Sequence, residues 1–81
     1  MGRSDYVTIG KLSTAAGVAP STVRFYIKSG LLKFASRSQS GYFLFDMQTS
    51  INRIERIRNL QRVQRLTIAE IRDQLAKEDN K

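Results

Sequence analysis

The segment Pro20-Ser21-Thr22-Val23-Arg24-Phe25-Tyr26-Ile27-Lys28 sets hydroxyls and cations on a stretch that opens with proline. Ser21 and Thr22 are small enough to allow close approach to a base edge or a phosphate. Arg24 can donate to a guanine edge or a phosphate, Tyr26 to a phosphate, and Lys28 adds charge at the far end. A second group, Arg37-Ser38-Gln39-Ser40-Gly41-Tyr42, puts a cation and a phenol around a polar loop in which Gly41 is free to take positive φ. At a hairpin tip this group could lie beside a groove, with Arg37 and Tyr42 on the backbone. Both groups point to recognition of a polyanion, and both have a plainer reading: a solvated helix face and a hairpin tip that is polar because tips face water.

The segment after residue 46 adds Arg53, Arg56, Arg58, Arg62 and Arg65. At about 100° per residue, Arg58, Arg62 and Arg65 cluster on one side of a helix and Arg53 is displaced from them. Neighbours along the helix offer no ion-pair network that would neutralise them. Part of this flank is the ordinary solvated face of an amphipathic helix. Such a helix could also lie on an anionic membrane, but Ile54, Ile57, Leu60 and Val63 are needed for the core of so small a domain, so no membrane partner is expected.

The whole chain has 81 residues, with 14 Lys and Arg against 7 Asp and Glu, a formal charge of +7. Residues 1–66 hold eleven of the basic residues and three of the acidic ones, so the polyanion-facing surface is expected before the last helix. Nucleic acid is the first partner this charge suggests. Without Cys or His, the chain is neither a disulfide scaffold, nor a zinc finger, nor a cysteine or histidine catalyst. Asp5, Asp46, Glu55, Glu70 and Asp73 are accounted for as caps or helix surface. No phosphate-binding glycine loop or metal cluster is present in the sequence, so no enzyme, catalytic residue, metal or cofactor is expected. No apolar run reaches membrane-spanning length and no signal peptide opens the chain, so a soluble cytoplasmic protein is expected.

These groups need elements to hold them. Residues 1–5 read as a flexible lead, residues 6–78 as one domain and residues 79–81 as a tail. Tyr6 to Ile9 can pair only briefly with another segment. A first helix fits Ile9 to Ala16, with Thr8 as its cap and Ile9, Leu12 and Ala16 on one face. Gly17-Val18-Ala19 breaks it, and Pro20 starts a second helix whose Val23, Ile27 and Leu31 recur until Gly30 offers a left-handed stop. Two short helices split by such a turn make a helix-turn-helix pattern. Lys33 to Ala35 and Tyr42 to Phe45 read as the strands of a β-hairpin, with residues 36–41 as its loop. Asp46 can cap a long helix to about Arg65, with Met47, Ile51, Ile54, Ile57, Leu60 and Val63 facing inward. Thr67 and Glu70 form a capping box for a last helix with Ile68, Ile71 and Leu75 inside.

Taken jointly, Ile9-Gly10-Lys11-Leu12, Ala16-Gly17-Val18, Thr22-Val23-Arg24-Phe25-Tyr26, Gly30-Leu31-Leu32 and Arg37 to Tyr42 resemble the DNA-binding region of MerR-family transcription regulators, from about Val7 to Leu75. The resemblance implies a mainly α winged helix-turn-helix: four helices with a small β-hairpin wing, the last two helices acting as a second wing. It implies a recognition helix carrying Ser21, Thr22, Arg24 and Tyr26, a wing carrying Arg37, Gly41 and Tyr42, and Arg53, Arg56 and Arg65 as further backbone contacts. The partner implied is double-stranded DNA, in a bacterial cytoplasm. Departures from the family pattern are Ala19 in place of a capping Ser, Ile27 in place of Glu, Phe34 in place of Pro, and Phe43 and Phe45 in place of Arg and Tyr after Gly41-Tyr42. The turn Val63 to Ile68 is one residue longer than the family's and has no glycine.

Family members usually continue into a long dimer-forming helix and an effector-binding domain. A homodimer is therefore expected only if the native chain continues past residue 81, and the alternative is a small phage- or excisionase-type DNA-binding protein. A different class of function, a module that binds an acidic or DNA-mimicking protein, would use the same basic surface.

Overall fold

The computed structural model describes residues 6–80. The expected flexible lead over residues 1–5, with Asp5, and the last residue of the expected tail lie outside the described residues. In chain order the elements are β1 (Tyr6–Val7), α1 (Ile9–Ala16), α2 (Pro20–Lys28), β2 (Ser36–Arg37), β3 (Phe43–Asp46), α3 (Met47–Arg62) and α4 (Ile68–Asp79). This is the mainly helical, winged helix-turn-helix architecture read from the sequence.

The helix starts follow local chemistry. Thr8 accepts from the Lys11 amide at the head of α1, and Asp46 accepts from the Thr49 amide at the head of α3. Thr67 and Glu70 close a reciprocal box over α4, each side chain taking the other's backbone N–H. The exception is α2, where Ala19 contributes no side-chain bond and Pro20 alone sets the first turn. Gly30 ends that helix at φ 78°, which lets the Leu31 amide turn back to the Tyr26 carbonyl.

The three strands form one antiparallel sheet in the order β1-β3-β2. Tyr6 and Val7 pair with Asp46 and Phe45, and Ser36 and Arg37 pair with Leu44 and Phe43. The hairpin is therefore tighter than expected. Its first strand lies at Ser36–Arg37, and the tip is closed by Ser38, whose backbone and hydroxyl both bond to Tyr42. Polar residues that read as loop belong to the ribbon because a two-stranded wing need not bury either of its faces.

The core joins all of the helices to β3: Leu12 from α1, Val23 and Tyr26 from α2, Leu31 and Leu32 from the turn, Phe45, then Ile54, Ile57 and Leu60 from α3 and Ile71 and Leu75 from α4. One inward assignment changes. Val63 is 72% exposed, because α3 ends at Arg62 and not at Arg65. The chain leaves the helix through a bond from the Leu66 amide to the Leu60 carbonyl, with Arg65 in the left-handed region at φ 56°. Arg65 thus fills a position that usually belongs to glycine, which is how this turn closes without one. Ile27 packs half-buried against the core, and Tyr26 takes the fully inner place one turn after Val23.

Candidate nucleic-acid interface

Along α2, Ser21, Arg24, Phe25 and Lys28 are exposed and Thr22 is half-buried. The outward row therefore includes an aromatic, Phe25, that polarity alone did not mark. Tyr26 corrects the sequence expectation. Only 3% exposed, it donates its hydroxyl to Gln61 Oε1 at 3.3 Å, across to α3. Burial raises the pKa of the phenol, and the nearby Arg58 charge opposes the rise. Tyr26 therefore joins the recognition-type helix to α3 and does not stand in its outward row.

A groove of about 530 Å³ opens where three segments meet. Thr8, Ile9 and Gly10 come from the first turn of α1, Pro20 and Arg24 from the first turn of α2, and Gly41, Tyr42 and Phe43 from the wing. Arg24 and Tyr42, eighteen positions apart in sequence, thus face one concavity. Gly41 sits at φ 88° with nothing within 4 Å of where a Cβ would stand, so the backbone angle and not crowding is what favours glycine there. The contribution of α1 to this wall was not read from the sequence, where that turn shows only a capped helix start.

Arg37 lies on the wing opposite Phe43. Its guanidinium carbon is 4.8 Å from the centroid of Phe43 and 5.6 Å from that of Phe34, and the two rings are themselves 4.5 Å apart. Tyr42, beside it, is 67% exposed.

The arginines of α3 divide into two sets. Arg53 binds both carboxylate oxygens of Asp79, the nearer at 2.6 Å, and also donates to the Leu31 carbonyl. Arg56 binds Glu78 at 2.5 Å, and Gln74 donates to the same carboxylate. These contacts correct two expectations. Arg53 and Arg56 are held by carboxylates of α4 and are not free basic groups, and Asp79, assigned to a tail, closes α4 and anchors it. The pairs span 22 and 26 positions, beyond what helix neighbours could reveal. Arg58, Arg62 and Arg65 form the second set, around two shallow hollows that also contain Asn59 and Gln61. Among the described residues, Arg53–Asp79 and Arg56–Glu78 are the only ion pairs, so Arg24, Lys28, Arg37, Arg58, Arg62 and Arg65 hold no carboxylate.

Comparison with known proteins bears on both fold and site. Residues 8–45 match the family model described as MerR family regulatory protein. The transcription regulator PbrR691 from Ralstonia metallidurans CH34, solved in complex with lead(II), is 35% identical over 99% of this chain and 57% of its own, with a TM-score of 0.78. A MerR-family transcriptional regulator from Bacillus cereus superposes at a TM-score of 0.76 with 18% identity, over 89% of this chain and 52% of that one. HiNmlR, a MerR-family regulator lacking the sensor domain and solved bound to promoter DNA, gives 0.74 with 23% identity over 85% of this chain and 53% of its own. The chain thus spans little more than half the length of each. No curated protein sequence matches it.

Proposed function

The chain belongs to the MerR family of regulatory proteins, and on that footing we propose that it binds double-stranded DNA sequence-specifically as the DNA-binding domain of a bacterial transcription regulator. In this reading α2 enters the major groove with Ser21, Thr22 and Arg24 leading and Lys28 behind, while Arg37, Gly41 and Tyr42 lie along the phosphate backbone. Arg65, with Arg58 and Arg62 beside it, meets flanking phosphates. The observation that carries the proposal is the shared groove, to whose lining α2 contributes Arg24 and the wing tip Tyr42. The promoter-bound HiNmlR structure supports the same use of the fold. Arg53, Arg56 and Tyr26 serve this function by fixing the elements that carry the contacts.

The function is binding in the cytoplasm, and no catalytic role is assigned. Among the described residues no helix is long and apolar enough to cross a membrane. A homodimer, proposed for a chain continuing past residue 81, would raise affinity by bringing a second α2 onto the same duplex.

Selection from a randomised 30-base-pair duplex pool tests the proposal. Enrichment of a defined site that the chain binds with a steep salt dependence is the expected result. A pool left unenriched after repeated rounds, with the protein folded, would overturn it.

A further inference from the structure

The fold brings the side chains of Phe34 and Phe43 together under Arg37. We infer that Phe34 and Phe43 form an aromatic cradle that orients the Arg37 guanidinium for a DNA phosphate, so that both are positioning residues of the wing. The inference rests on the DNA-binding reading above.

Arg37 and Phe43 are directly opposed in the β2–β3 ladder, which puts their side chains on one face of the ribbon. Phe34 reaches the same face from the extended segment before β2, where the neighbouring Ala35 amide bonds to the Leu44 carbonyl at 2.8 Å. The two rings meet at 4.5 Å and 30°, and the guanidinium lies within cation–π distance of both. A planar guanidinium packed on rings keeps its N–H edges free to donate, which an ammonium cannot reproduce. No carboxylate competes for it among the described residues.

The two phenylalanines differ in what else they do. Phe43 also packs against the hydrophobic core, whereas Phe34 is 39% exposed. The ring of Phe34 is in contact with Phe43 and Arg37. Holding Arg37 in advance removes an ordering cost that a free arginine would meet on binding, an effect of about three- to tenfold in affinity.

The test has two arms on the full chain. In the first, NMR of the free protein is expected to show Arg37 δ-protons shifted upfield by ring currents, with the shift reduced in Phe34→Leu, where Phe43 remains, and kept in Phe34→Tyr. In the second, affinity for the selected duplex is measured in a double-mutant cycle. Phe34→Leu is expected to weaken binding about three- to tenfold, with Phe34→Tyr restoring it, and to have no effect once Arg37→Ala is present. An unshifted Arg37 with wild-type DNA binding intact overturns the cradle alone. A Phe34→Leu loss that persists in the Arg37→Ala background also overturns it, since the ring would then act independently of the arginine. Failure of the wild type to bind any selected duplex would overturn the DNA reading and the cradle's role together.

Discussion

On α2, side chains two positions apart point about 200° apart around the axis, and Arg24 and Tyr26 show the consequence. One faces the groove and the other enters the core to bond Gln61. Hydrogen-bonding capacity made both look like contacts in the sequence. Which of them can reach a ligand is decided by packing, because Val23 fixes the inner face and Tyr26 lies one turn beyond it. Tyr26→Phe should therefore cost stability and not recognition. Losing one hydrogen bond lowers unfolding free energy by about 1 kcal/mol, or about 4–8 °C in melting temperature for a domain of this size. Affinity for the selected duplex should stay within about twofold, whereas a phosphate contact would lose a charge-assisted bond and weaken binding several-fold. Thermal melts and duplex titrations on the same preparation separate the two.

At the scale of elements, much was legible because it is local. Thr8, Asp46 and Thr67 cap helices at their expected positions, and Pro20 and Gly30 bracket α2. The uncapped head of α2 was legible too, and it invites a direct change. Ala19 has the extended backbone of a cap residue, with φ −74° and ψ 150°, so Ala19→Ser can supply the missing acceptor without strain. The expected gain is about 1 kcal/mol, read as a rise in urea midpoint at an unchanged slope. What was not legible depends on residues distant in sequence: the pairing of β1 with β3, the tighter wing, the turn through Arg65, and the clasp of α4 onto α3.

That clasp carries a pH dependence with a defined sign. The hydrogen bond from Arg56, helped by Gln74, lowers the Glu78 carboxyl from its ordinary 4.5 to about 2, and the hydrogen bond from Arg53 lowers Asp79. A carboxyl whose pKa is lower in the folded state stabilises the fold above its unfolded pKa, and the contribution is lost as pH falls through the folded value. The melting temperature should thus fall between about pH 5 and pH 2, with amide exchange in the last turn of α4 speeding first. Glu78→Gln should melt lower at pH 7 but show a shallower acid decline. An identical decline in the variant would remove the clasp as its cause.

For the molecule as a whole, the charge of +7 suggests a polyanionic partner but not the surface that would meet it. The division of charge at residue 66 suggested that the last helix stands apart from the basic region. The fold shows instead that the acidic end of α4 folds back on two of the basic residues. Among the described residues the cations that hold no carboxylate include Arg24 and Lys28 on α2, Arg37 on the wing, Arg58 and Arg62 on α3 and Arg65 just after it, besides Lys11, Lys33, Arg72 and Lys77 elsewhere. If about five of them meet phosphates, the logarithm of the binding constant should fall against the logarithm of salt with a slope of about −4 to −5.

The most direct test of sequence reading by α2 is the affinity of wild type and Arg24→Ala, across a salt series, for the selected duplex and for a scrambled duplex of the same composition. The wild type is predicted to prefer the selected duplex at every salt concentration. Arg24→Ala is predicted to lose about 1–3 kcal/mol on the selected duplex and clearly less on the scrambled one. Equal affinity of both proteins for both duplexes would contradict the placement of α2 in the major groove.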